Sequence, residues 1–158
     1  MIFGIISIKS FACTPVYRLT LEETIEKSEA IIVATVVDFV ENKSNSKDSS
    51  ILFEVDEILK GKMKDNYIKI KGKIVSHSLS NKNKIPYKRG RRRSSNGECL
   101  AIDYDYGSSY LLMIKDGTPH WSAFNATNEK ITGGNDPWLM WIKGFLAGME
   151  YRKQKEKM

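Results

Sequence analysis

The chain has no run of 18 apolar residues, so none of its 158 residues can form a helix that crosses a bilayer. Cysteine is scarce. Cys13 and Cys99 are the only two, far apart in sequence, which excludes a CxxC redox motif and leaves too few thiols for a structural zinc site. Histidine is scarcer in effect, because His77 and His120 lie in separate segments with no neighbouring acidic pair. No Gly-x-Ser-x-Gly turn, phosphate loop, dinucleotide fingerprint or zinc motif occurs anywhere in the chain. The sequence therefore names no catalytic residue, metal ligand or cofactor site, and the reading is of a protein that is not an enzyme.

What is present suits one soluble domain. Apolar residues make up 41% and charged residues 28%, enough for a core and too balanced for a disordered chain. The net charge of +6 has two addresses. Lys82, Lys84, Lys88, Arg89, Arg91, Arg92 and Arg93 crowd one stretch, and Arg152, Lys153, Lys155 and Lys157 another. The first lies in a long uncommitted segment, 76–97, with Pro86, Gly90 and a Ser-Ser-Asn-Gly turn. The second is a basic tail, 151–158, expected to fray. Residues 82–93 could contact an anionic envelope polymer or lipid surface.

The first twelve residues, MIFGIISIKSFA, read as the remnant of an export signal whose basic start is missing, leaving 13–150 as the domain. In an oxidising compartment Cys13 and Cys99 could close a long loop, worth about 4–5 kcal/mol on the chain-entropy model. As two unrelated buried thiols they would contribute nothing of the kind.

Local signals then follow in order. Thr20 and Glu23 form a capping box ahead of a short helix from Leu21 to Ser28, with Leu21 and Ile25 facing inward. Ala30–Val40 is β-branched and almost continuously apolar, as in a strand covered on both faces or one curving around a barrel. Ile51–Leu59 alternates, with Ile51, Phe53 and Val55 on one face, and ends at Lys60-Gly61, a turn. Tyr67–Val75 gives a third strand, interrupted at Gly72, with Lys69, Lys71 and Lys73 outward. Tyr110–Ile114 is a fourth, Asp116-Gly117 a turn, His120–Phe124 a fifth, and Glu129–Thr132 a short sixth. Asp103 and Asp105 read as acids of an exposed turn. Asp136 and Pro137 open the clearest helix, with Trp138, Trp141, Ile142, Phe145, Leu146 and Met149 as one stripe.

This order predicts a mainly β fold: a five- to six-stranded, OB-like Greek-key barrel, with a short N-terminal helix and a longer amphipathic C-terminal one. A flat sheet with helices on one face is the competing layout.

Cys13-Thr14-Pro15, the run Ser28–Val37, the run Phe53–Gly61 ending in Lys-Gly, and Cys99 followed by Gly107-Ser108-Ser109-Tyr110-Leu111 together resemble netrin-like domains. That group includes the tissue inhibitors of metalloproteinases and uncharacterised secreted bacterial proteins. The resemblance implies an OB-like barrel, a periplasmic or secreted protein, a Cys13–Cys99 disulfide and a protein partner of unknown identity. It also supplies an alternative. In the inhibitors a mature N-terminal cysteine chelates the protease zinc and the next side chain enters a specificity pocket, roles that would fall to Cys13 and Thr14. Position 15 is proline where those inhibitors have a second cysteine. Attachment through a lipid on Cys13 is a further variant, although Ser10-Phe11-Ala12 makes a poor lipobox. A third reading is an OB-fold binder of nucleic acid or anionic polymer through Arg89, Arg91, Arg92 and Arg93. Single-strand binding relies on exposed aromatics as well as cations, and the third strand offers no aromatic row.

Overall fold

In the computed structural model, residues 20–40, 49–75, 103–119 and 128–158 are described. The chain forms helix α1 (Leu21–Lys27), strands β1 (Ala30–Val40), β2 (Ser50–Lys60), β3 (Tyr67–Lys71), β4 (Lys73–Ile74), β5 (Asp103–Tyr104), β6 (Ser109–Lys115), β7 (Thr118–Pro119) and β8 (Asn128–Lys130), and helix α2 (Pro137–Lys155). The fold is mainly β: four antiparallel strands, in the order β3-β2-β1-β6, curl into a half-barrel flanked by two helices. Beyond β6, β7 pairs with its C-terminal end and β8 with its middle.

The curl originates in the pairing of β1 with β2. Val33 lies opposite Glu57 and Ala34 opposite Val55, so Asp56 is an extra residue on β2. Leu59 is another, between the pairs Ile31–Lys60 and Ile32–Ile58, and Val37 is a third, on β1. Each bulge bends its strand and increases its twist. They also shift the inward alternation, so that Val55 packs on one side of the sheet and Leu59 on the other.

β1 is buried on both faces, as its continuous apolar character predicts. On one side Ile31 and Val33, with Leu111 and Met113 of β6, receive Leu21 and Ile25 of α1 and Trp138, Leu139 and Ile142 of α2. On the other, Ala30, Ile32, Ala34 and Val36 join Ile51, Phe53, Ile68, Ile70 and Leu112 around three aromatic rings. Phe53, Tyr104 and Tyr110 meet edge to face, with centroids 5.1, 6.0 and 5.1 Å apart. This geometry sets the positive edge of one ring against the negative face of the next. The Tyr110 hydroxyl accepts from the Asp105 backbone N–H at 2.8 Å, so its polar atom is satisfied in the core.

Both helix starts follow their sequence signals. Thr20 Oγ1 accepts from Glu23 N–H at 3.1 Å, and the Glu23 carboxylate accepts from Thr20 N–H at 2.7 Å. Asp136 Oδ1 accepts from Trp138 N–H at 2.9 Å, while its other oxygen accepts from the Thr132 N–H and hydroxyl, each at 3.1 Å. One carboxylate thereby starts α2 and fastens the chain after β8 to it.

The structure departs from the sequence reading in several places. The expected fraying at Tyr151 does not occur, since α2 is helical through Lys155. Its last turns are rich in Lys, Arg, Gln and Glu, all good helix formers, and the cations favour the negative end of the helix dipole. The third strand breaks at Gly72 as expected, but β4 beyond the break leaves the antiparallel sheet and pairs in parallel with β5, Lys73 opposite Asp103 and Ile74 opposite Tyr104. The amphipathic description of α2 holds only for its buried stripe; the exposed positions opposite, Met140, Gly144, Ala147 and Gly148, are uncharged as well. The expected strand His120–Phe124 lies outside the described residues.

Candidate functional site

Cys13, Thr14, Cys99, Arg89, Arg91, Arg92 and Arg93 all lie outside the described residues, as do the rest of the 82–93 cluster and both histidines. Two places among the described residues stand out: the junction that holds α1 to the sheet, and the rim at the opposite end of β1.

The junction is built on Lys60-Gly61. Lys60 ends β2, and its ammonium reaches back to the end of α1, donating to the carbonyl oxygens of Ile25, Glu26 and Ser28 at 2.6–2.8 Å. A helix C-terminus leaves carbonyls without intrahelical partners and with partial negative charge, and a cation there answers both. Burial holds the Lys60 pKa below its ordinary 10.5, nearby Lys153 pushes the same way, and Glu26 opposes them. The next residue, Gly61, has φ +78°, and a Cβ there would lie 2.0 Å from the Glu29 carbonyl oxygen. Only glycine permits this backbone so near the link between α1 and β1. Glu29 is itself anchored: its N–H donates to Ile114 O at 2.9 Å, and its carboxylate accepts from Asp116 N–H at 3.0 Å.

At the rim, β1 runs out into exposed apolar residues, Phe39 at 43% and Val40 at 60% exposure, and Tyr106 at 61% stands beside the same stretch. The Tyr106 hydroxyl donates to Val37 O at 3.0 Å, and Gly107 N–H donates to Val36 O at 3.0 Å, tying the β5–β6 connection to β1. Behind the rim, Asp105 is buried and ion-paired with Lys130 of β8. This corrects its reading as an exposed turn acid. The partner that neutralises it lies 25 residues away, on β8, which pairs antiparallel with β6.

Comparison with protein-family models, curated proteins and solved structures finds no match. The chain's own residues carry the reading.

Chemically, the two places differ. Among the described residues no group of three His, Cys, Asp or Glu side chains could hold a metal ion. The hydroxyls of Thr35 and Ser109 bond each other at 2.7 Å, and Thr35 donates to the Asp56 carboxylate at 2.7 Å, a chain that crosses β6, β1 and β2. The junction is internal and structural. The rim presents exposed aromatic and aliphatic surface, Phe39, Val40 and Tyr106. No signal in the sequence separates Phe39 from core residues, because it ends the apolar run of β1, whereas Tyr106 lies in the stretch read as an exposed turn, between Asp105 and Gly107.

Proposed function

We propose that the chain is an exported, non-enzymatic protein-binding module of netrin-like type, built on an OB-like barrel, with its partner in the cell envelope or outside the cell. The observation that carries this reading is the way the resembling segments meet. Ser28–Val37, Phe53–Gly61 and Gly107–Met113 fall on neighbouring strands β1, β2 and β6. The Lys60-Gly61 pair, part of the resemblance, binds the end of α1 to that unit. The bulged, curled sheet and the parallel β4–β5 link between its two ends support closure into a barrel. The exposed rim of Phe39, Val40 and Tyr106 supports partner binding through apolar contact.

Three measurements test the proposal. N-terminal sequencing of the mature protein from its native cell should give a chain beginning at Cys13; an intact Met1 removes the export reading, and a lipid-blocked cysteine converts the protein into an anchored one. Cys13→Ser and Cys99→Ser should each destabilise the oxidised protein by a similar amount, with little further loss when combined. Additive losses would mean that the two are not bonded. Cross-linked capture from envelope extracts should be lost on Phe39→Asp with Tyr106→Ser, and capture that survives both changes removes the rim from the proposal.

A further inference from the structure

The C-terminal helix holds a surface that the fold does not use. The buried stripe of α2, Trp138 through Met149, faces the sheet, with Trp141 and Phe145 stacked 5.3 Å apart along it. On the outward side the exposed positions from 137 to 149 are Pro137, Met140, Gly144, Ala147 and Gly148, with no charge among them. Met140 is 53% exposed, and Tyr151, one turn beyond Ala147 on the same side, is 68% exposed. There the composition changes abruptly. Arg152, Lys153, Lys155 and Lys157 follow, all exposed, and none is in an ion pair among the described residues. Because α2 stays helical through Lys155, these cations keep a fixed relation to the uncharged face, with Lys155 one turn beyond Tyr151 on the same side.

We propose that the outward face and the basic end of α2 together form a surface that lies on a bilayer containing anionic lipid. The cations alone would suit any polyanion. The apolar side chains in line with Lys155 add a demand that a nucleic acid backbone does not meet and the boundary between headgroups and acyl chains does. Met140 and Tyr151 enter that boundary, tyrosine being suited to a place wet at one end and apolar at the other. Gly144 and Gly148, with nothing within 4 Å of a Cβ built on either, bring the helix axis close to the surface. Lys155, in line with Tyr151, and Arg152 beside it meet the phosphates, while Lys153, on the side towards Lys60, and Lys157, beyond the end of α2, add to the positive field. No helix of the described residues is long and apolar enough to cross a membrane, so the contact is peripheral. Glu150 and Glu156 subtract from the attraction, which makes it sensitive to salt and to the fraction of anionic lipid.

The test is co-sedimentation of the full chain with vesicles of phosphatidylcholine, with and without phosphatidylglycerol. Binding is expected only with the anionic lipid and should fall as salt rises. Replacing Arg152, Lys153, Lys155 and Lys157 with glutamine should lower partitioning at least about tenfold, since each cation near such a surface is worth roughly fivefold. Met140→Glu should weaken binding with the cations intact, while far-UV circular dichroism stays that of the parent. An Arg89, Arg91, Arg92 and Arg93→Ser variant should still bind. The proposal is overturned if that variant abolishes binding while the glutamine variant does not, or if Met140→Glu is without effect. It is overturned equally if no vesicle binding occurs and the chain instead sediments as a dimer that Met140→Glu dissolves, or binds a single-stranded oligonucleotide alone.

Discussion

Replacing Gly61 with alanine isolates the close approach that fixes α1 to the sheet, because Gly107 provides a matched control. The two glycines have nearly the same backbone, φ +78° and +71°. An alanine at either position carries a left-handed conformation costing roughly 1–2 kcal/mol, offset by about 0.4–1 kcal/mol from a stiffer unfolded chain. At Gly107 nothing lies within 4 Å of the added carbon, so the loss should end there, at about 1 kcal/mol. At Gly61 the carbon meets the Glu29 carbonyl oxygen at 2.0 Å, far inside the 3.4 Å at which ordinary contact begins. The obstacle is backbone and cannot rotate away. Moving it disturbs the Glu29–Ile114 and Glu29–Asp116 hydrogen bonds and the Ser28 carbonyl held by Lys60. Overpacking of this kind costs about 1–3 kcal/mol and the partial loosening of these bonds about 1 kcal/mol together, so with the backbone cost of about 1 kcal/mol Gly61→Ala should lose about 3–5 kcal/mol in all. Urea unfolding followed by far-UV circular dichroism would measure both variants, and melting temperatures should separate by about 5–12 °C for a chain of this size. Losses equal to within about 0.5 kcal/mol would refute the reasoning, since the overlap would then be carrying no energy.

Other consequences are simpler to state. Asp136→Ala removes the cap of α2 and two bonds to Thr132, and should cost about 2 kcal/mol by denaturant unfolding, with Asp136→Asn recovering part of it. Gly144→Ala and Gly148→Ala, in a helix interior with open space around them, should each stabilise the free protein by up to about 1 kcal/mol; destabilisation would mean that something packs there. Because the folded pKa of Lys60 lies below 10.5, the unfolded chain holds a proton that the folded one releases earlier. The parent should therefore gain stability relative to Lys60→Met as pH rises towards 10.5 and lose that gain as pH falls again, in paired urea titrations; an identical pH slope would contradict the shift.

How much of this was readable in advance depends on how local the chemistry is. Thr20, Glu23, Asp136 and Pro137 act within one helical turn, so both helix starts are legible to the residue. The span of β1 follows from an uninterrupted apolar run, and that of β2 from alternation. The break at Gly72 is equally visible, but not where the chain goes next, because the β4–β5 ladder joins residues some thirty positions apart. Lys60 reads as a turn residue; its real partners are carbonyls of α1, which only the folded sheet brings within reach. Asp105 misleads for the same reason, its charge being balanced by Lys130 on another strand. The aromatic trio is distributed over three strands, and no period reveals that Phe53, Tyr104 and Tyr110 share one space. For the candidate site, sequence offers Cys13, Thr14 and the arginine cluster, while the rim residues Phe39 and Tyr106 emerge only once exposure is known.

The way α1 terminates has a consequence for assembly. Its local ending is partial: the Ser28 N–H and hydroxyl both donate to Thr24 O, while the cation that takes the Ile25, Glu26 and Ser28 carbonyls arrives from the neighbouring strand β2. In isolation this seven-residue segment would have a good beginning and only one capped carbonyl at its end, and would be too short to persist in water. The helix must therefore mature after β1 and β2 have zipped together, and its amide protons become reporters of that pairing. In hydrogen exchange, α1 should never outlast the hairpin that supplies its terminus.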